Sequence, residues 1–172
     1  MVRVATNLLV QAAAMLLFHN SGNGLKNVSQ ESGPLFSRPL AARGLAIGDF
    51  DNDGAVDVLI SSNDDAPVLL RNRAGSQNHW LGLKLVGKKA NIDAIGARVS
   101  YQAGDMKRSC NKVGGGSYLS SHDPRMVLGI GQRAKIDWLE IAWPQPSGLK
   151  QRFTDLPIDR YITIHEGQAK WE

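Results

Sequence analysis

Leu45-Ala46-Ile47-Gly48-Asp49-Phe50-Asp51-Asn52-Asp53-Gly54-Ala55-Val56-Asp57-Val58-Leu59-Ile60 carries the most specific chemistry in this chain. Counted from Asp49, carboxylates fall at loop positions 1, 3, 5 and 9, with Gly54 at position 6. Four acidic side chains within nine residues repel one another unless a counter-cation sits among them. Calcium takes about six to eight oxygens, and a loop that wraps it offers alternate side chains plus the carbonyl at position 7. The predicted ligands are therefore Asp49, Asp51, Asp53, Asp57 and the main-chain oxygen of Ala55. Magnesium, which keeps its waters and a strict octahedron, suits the loop less well. Position 12 is Ile60, where an EF-hand requires a bidentate Glu, and Val56–Ile60 reads as a strand rather than a helix. The expectation is an ion held in a β-hairpin in a structural role, since no pair of carboxylates is placed to activate a water. The alternative is a solvated acidic turn with no metal. Asp64-Asp65 reads as an ordinary acidic turn.

Outward from this loop, short apolar runs alternate with Gly, Asn, Asp and Pro, the punctuation of an all-β chain. Strands are expected at Met15–His19, Leu25–Val28, Leu45–Ile47, Val56–Ser61, Val68–Asn72 and Trp80–Val86. Further strands are expected at Ala97–Gln102, Lys107–Val113, Arg125–Leu128, Asp137–Trp143, Leu149–Phe153 and Tyr161–His165. Leu16-Leu17-Phe18-His19-Asn20 echoes Val68-Leu69-Leu70-Arg71-Asn72 at an offset of 52 residues, a period that suits a β-propeller blade. The echo stops after Asn78, and Arg73–Asn78 reads as a connector. The organisation expected is a lead-in over 1–14, a repeat region over 15–77, a second domain over 78–166 and a tail over 167–172.

The 172 residues carry a net charge of +4, with −1 on residues 1–78 and +5 on 79–172. The basic residues of the second part are dispersed like the solvated faces of strands, so nucleic-acid binding is not expected. The single cysteine, Cys110, can neither close an internal disulfide nor supply a Cys-rich zinc site. The apolar run Leu8–Phe18 is interrupted by Gln11 and makes an unconvincing signal peptide, and it falls well short of the ~20 residues of a membrane span.

Other chemistry-bearing residues carry weaker patterns. Ser120, Ser121, His122 and Asp123 are the residue types of a nucleophilic triad but lack the strand–turn–helix context for one. His79, His122 and His165 are too widely spaced for a zinc pattern, and Gly114-Gly115-Gly116 lacks the Lys and helix of a phosphate loop. Trp80, Trp138, Trp143 and Tyr118 read mainly as core residues. Trp138 and Trp143 differ by an odd number of residues, so one of them is expected to face outward. Trp143 is the residue whose removal would test a glycan surface there. Asn27-Val28-Ser29 is a glycosylation sequon, meaningful only in a eukaryotic secretory pathway.

Leu45 to Asp57-Val58-Leu59 resembles an FG-GAP (VCBS-type) repeat, and Leu17-Phe18-His19-Asn20 with Gly22-Asn23-Gly24 looks like the end of a preceding one. The second part resembles an ASPIC/UnbV domain. That resemblance rests on Asn78-His79-Trp80-Leu81, Ile95-Gly96-Ala97-Arg98-Val99, Gly114–Ser121, Leu128-Gly129-Ile130-Gly131 and Ile141-Ala142-Trp143-Pro144. Trp143-Pro144-Gln145-Pro146-Ser147-Gly148 departs from the family's usual Trp-Pro-Ser-Gly by an extra pair that enlarges one turn. The resemblance implies an all-β chain with partial β-propeller blades and a calcium hairpin loop, followed by a β-sandwich-like ASPIC/UnbV domain. A closed propeller needs at least about four blades, more than this chain holds. The resemblance further implies a non-enzymatic, calcium-binding module of an exported protein, extracellular or periplasmic. Its role would be adhesion-like or ligand-binding, with a protein or glycan partner and association through free blade edges. The alternatives are an accessory protein of secondary metabolism, by similarity to UnbV, or a glycan-binding surface on the C-terminal domain.

Overall fold

The structure, a computed structural model, describes residues 12–63, 65–74 and 77–172. Most of the lead-in, Asp64 of the acidic turn and Gly75-Ser76 of the connector lie outside these. Among the described residues there is no α-helix, only short 3-10 turns at Ser29–Glu31 and Pro34–Ser37. The all-β expectation holds.

A small hairpin, β1 (Phe18–Asn20) and β2 (Leu25–Asn27), comes first and forms a two-stranded sheet of its own. β3 (Ala42–Gly48), β4 (Asp57–Ser62) and β5 (Asp65–Leu70) follow as an antiparallel meander. This is three strands of a blade-like sheet, and no closed propeller forms among the described residues. The sequence echo survives in its turn chemistry: Asn20 Oδ1 accepts from Gly22 N–H, and Asn72 Oδ1 accepts from Ala74 N–H, each at 2.9 Å. Both are Asx turns, in which the side chain replaces a backbone acceptor.

The C-terminal part contains β6 (His79–Val86), β7 (Arg98–Ala103), β8 (Met106–Asn111), β9 (Gly116–Ser117), β10 (Ser120–Ser121), β11 (Met126–Gly131), β12 (Trp138–Ala142), β13 (Lys150–Phe153) and β14 (Arg160–His165). One sheet has the order β11-β6-β14, with β14 parallel to β6; the other is antiparallel, β13-β12-β7-β8. Alternate residues of both sheets meet in a single core. Leu81, Leu83, Leu128, Ile130 and Ile164 come from the first sheet, and Val99, Leu139 and Ile141 from the second. Each is fully buried and contributes about 1.5–3 kcal/mol. Beyond β14 the chain returns, and Glu172 exchanges backbone hydrogen bonds with Thr163 at 2.7 and 3.0 Å.

Trp143 corrects the expected glycan surface. It lies in the core at 3% exposure, its indole N–H donating to Gln151 Oε1 at 2.6 Å. Trp138 is the indole that faces outward, as the odd spacing requires of one of the two.

Candidate metal loop and its dock on the sandwich

Gly48 and Asp57 sit directly opposite each other in the β3–β4 ladder, so the acidic loop is the closed end of that hairpin. Positive φ at Asn52 (59°) and Gly54 (84°) turns the chain around the Asp49 side chain. Asp49 Oδ1 accepts from Asp53 N–H at 3.0 Å, and Oδ2 accepts from Gly54 N–H at 2.9 Å. Asp57 closes the loop from the other side: Oδ2 accepts from Phe50 N–H at 2.9 Å and Oδ1 from Asn72 N–H at 2.8 Å. Asp49 and Asp57 are 2% and 3% exposed. Their full set of donors is what makes burying two carboxylates tolerable.

Carboxylate oxygens of Asp49, Asp51 and Asp57 lie within 4.8 Å of one another. Three of the five residues expected as ligands are thus brought together. Asp53 is not among them; its Oδ1 accepts from Ala55 N–H at 2.8 Å in an Asx turn. Asp51 also pairs with Arg71, so a cation of the chain already offsets part of the repulsion. The donor chemistry, three hard oxygens on a turn with lone pairs to spare on Asp51 and Asp57, fits a hard divalent cation.

The loop rests on the outer face of the β11-β6-β14 sheet. The Tyr161 hydroxyl donates to Asp49 Oδ2 at 2.6 Å. Arg125, just before β11, donates from Nη2 to the Asp49 main-chain oxygen at 3.0 Å and from Nη1 to Asn52 Oδ1 at 2.6 Å. The same guanidinium binds Asp123 Oδ2 at 2.6 Å and lies 4.1 Å from the Tyr161 ring centroid, a cation–π contact. Trp80 meets Tyr161 edge-on, with centroids 5.1 Å apart, and packs under Gly54, where an added Cβ would fall 2.2 Å from Trp80 Cε2. Burial, the bond to Asp49 and the charges of Asp49 and Asp123 push the Tyr161 hydroxyl above its ordinary pKa, against the opposing pull of Arg125. Burial works against ionisation of Asp123. The side chain and backbone N–H of Arg125, with Lys112 beyond, outweigh it and hold the carboxyl below the usual range.

The second line of contact is the edge of β3. Asp123 N–H donates to Ile47 O at 2.9 Å, and Ile47 N–H donates to His122 Nδ1 at 3.3 Å. The β9–β10 hairpin comes so close that a Cβ on Gly44 would fall 2.5 Å from Ser120 Oγ. Ser120, His122 and Asp123 therefore serve this seam: Ser120 Oγ lies against Gly44, His122 accepts from backbone and Asp123 is bound by Arg125. His79 and His165 lie apart, beside Asp159 at 2.7 Å and Glu172 at 3.7 Å.

Trp80, Arg125 and Tyr161 were missed as partners of the loop by sequence reasoning. They stand 26 to 112 positions from the residues they touch, and no local pattern marks them. No helix among the described residues is long and apolar enough to cross a membrane. No curated protein matches this chain. Residues 87–170 match the family model described as ASPIC and UnbV, and the C-terminal sandwich is accordingly similar to that domain.

Proposed function

We propose that the chain is a non-enzymatic, calcium-binding module of an exported protein, extracellular or periplasmic, with an adhesion-like or ligand-binding role. In this reading β3–β5 is an FG-GAP-type repeat, and an ion held by Asp49, Asp51 and Asp57 clamps its hairpin onto the ASPIC/UnbV-like sandwich. The observation that carries the reading is the convergence of three carboxylates in a loop whose Asp49 is bonded directly to Tyr161 and Arg125 of the sandwich. Bound calcium supplies charge neutralisation. The chain's own residues supply the rest: Asp57 ties the loop to the end of β5, and Arg125 ties it to Asp123. The commitment of His122 and Asp123 to the seam supports the non-enzymatic part of the reading.

Calorimetric titration of chelator-treated protein tests this. One calcium site with a Kd of about 10⁻⁴–10⁻³ M, the range of extracellular modules, is expected, with weaker heat from magnesium. No heat at millimolar calcium would remove the proposal. Arg71→Ala, which deletes the competing cation beside Asp51, is expected to tighten calcium binding about threefold, the size of a surface ion pair.

A further inference from the structure

The outward face of the β13-β12-β7-β8 sheet lies on the opposite side of the sandwich from the loop and takes no part in the calcium reading. Strand registers fix its composition row by row, because residues directly opposite in antiparallel strands share a face. Lys150, Ala142, Arg98 and Asn111 form one row, and Arg152, Glu140, Ser100 and Ser109 the next. Trp138, Gln102 and Lys107 form the third. Four cations thus share the face with one carboxylate. None of the four is ion-paired among the described residues.

Three of the four cations are held in place by neighbours rather than by acids. Arg152 lies 4.4 Å and Lys107 5.5 Å from the centroid of the Trp138 ring. The indole is fixed in turn by donating to Gln102 Oε1 at 3.0 Å. Arg98 donates through Nε to Ser109 Oγ at 2.8 Å, which leaves its terminal nitrogens facing solvent. Arg98 and Lys150 stand two strands apart in one row, about 10 Å across the sheet. A sheet face of cations without ion-pair partners, three of them held by neighbours, interspersed with hydroxyl and amide groups, is complementary to a chain that repeats both anionic groups and hydroxyls.

We propose that this face binds an acidic polysaccharide. Arg98, Lys107, Lys150 and Arg152 contact its carboxylate or sulfate groups, Ser100 and Asn111 hydrogen-bond its hydroxyls, and Trp138 acts as a positioning residue for Arg152 and Lys107. Single-stranded nucleic acid offers the same repeating charge but is held largely by bases stacked on open aromatic rings. The one indole of this face is already engaged by its own cations.

The test is equilibrium binding of the full chain to heparin and to polygalacturonate, with neutral dextran and single-stranded DNA as comparisons, all at physiological salt. The proposal expects binding of at least one acidic polysaccharide, tighter than DNA, and no binding of dextran. The Lys107→Gln/Arg152→Gln double variant should weaken it about tenfold, with an unaltered melting temperature. Lys84→Gln, on the other sheet, should change it less than twofold. Should the double variant fail to fold, Lys107→Glu and Lys150→Glu, both at exposed positions, carry the same expectation singly. Binding of neither acidic polysaccharide, equal binding of dextran, DNA binding as tight as heparin, or equal weakening by Lys84→Gln would overturn the proposal.

Discussion

Glu166 is 5% exposed, and its Oε2 accepts from three successive backbone N–H groups, those of Lys88, Lys89 and Ala90, at 2.6, 2.7 and 2.8 Å. Burial opposes its ionisation; Ser147 and these amides outweigh it and draw the carboxyl down to about 2. A carboxyl depressed on folding stabilises the native state above its unfolded value of about 4.3, and that stabilisation is lost as pH falls toward 2. Glu166→Gln is expected to melt at a lower temperature than the parent at pH 7 and at the same temperature near pH 2, as read by thermal unfolding at both. Tyr161→Phe removes one hydrogen bond to a buried carboxylate and should lower stability by about 2 kcal/mol in denaturant titration. At this scale the sequence was legible where the chemistry is local. The spacing rule picks out Asp49, Asp51 and Asp57, whose carboxylates the fold brings within 4.8 Å of one another, whereas it does not register the Asx turn in which Asp53 Oδ1 accepts from Ala55 N–H.

Among the elements, twelve strands were expected from apolar runs and turn residues, and each has a counterpart in the fold. β9 and β10 were not anticipated, because two-residue strands of Gly and Ser have no alternation to read and form where the hairpin lies against β3. β5 pairs only with β4 among the described residues and carries Pro67, a residue that suits an edge strand. β3 has its free edge met by His122 and Asp123 instead. Gly54 looked like a turn residue, and so it is, but Trp80 lies against it as well. Gly54→Ala is therefore expected to cost more than about 1 kcal/mol, the penalty for Ala at positive φ, with the Trp80 ring adding to it. Equilibrium unfolding measures this.

For the molecule as a whole, the sandwich and the blade-like sheet share one electrostatic joint: Asp49 of the hairpin, Tyr161 of β14, and Arg125 with Asp123 before β11. Asp123 is depressed on folding, so the joint is at full strength above the ordinary Asp value of about 3.9 and weakens as pH falls through the folded one. This joint was invisible in sequence because it forms only once two separately patterned regions are packed together. Its central test is thermal unfolding of the full chain in ~10 mM calcium and in chelator, for the parent and for Asp51→Asn, which removes one of the three converging carboxylates while Asp49 and Asp57 keep their hydrogen bonds. Calcium should raise the parent's melting temperature by about 5 °C and leave Asp51→Asn nearly unmoved. An identical melting temperature for the parent with and without calcium would contradict the account.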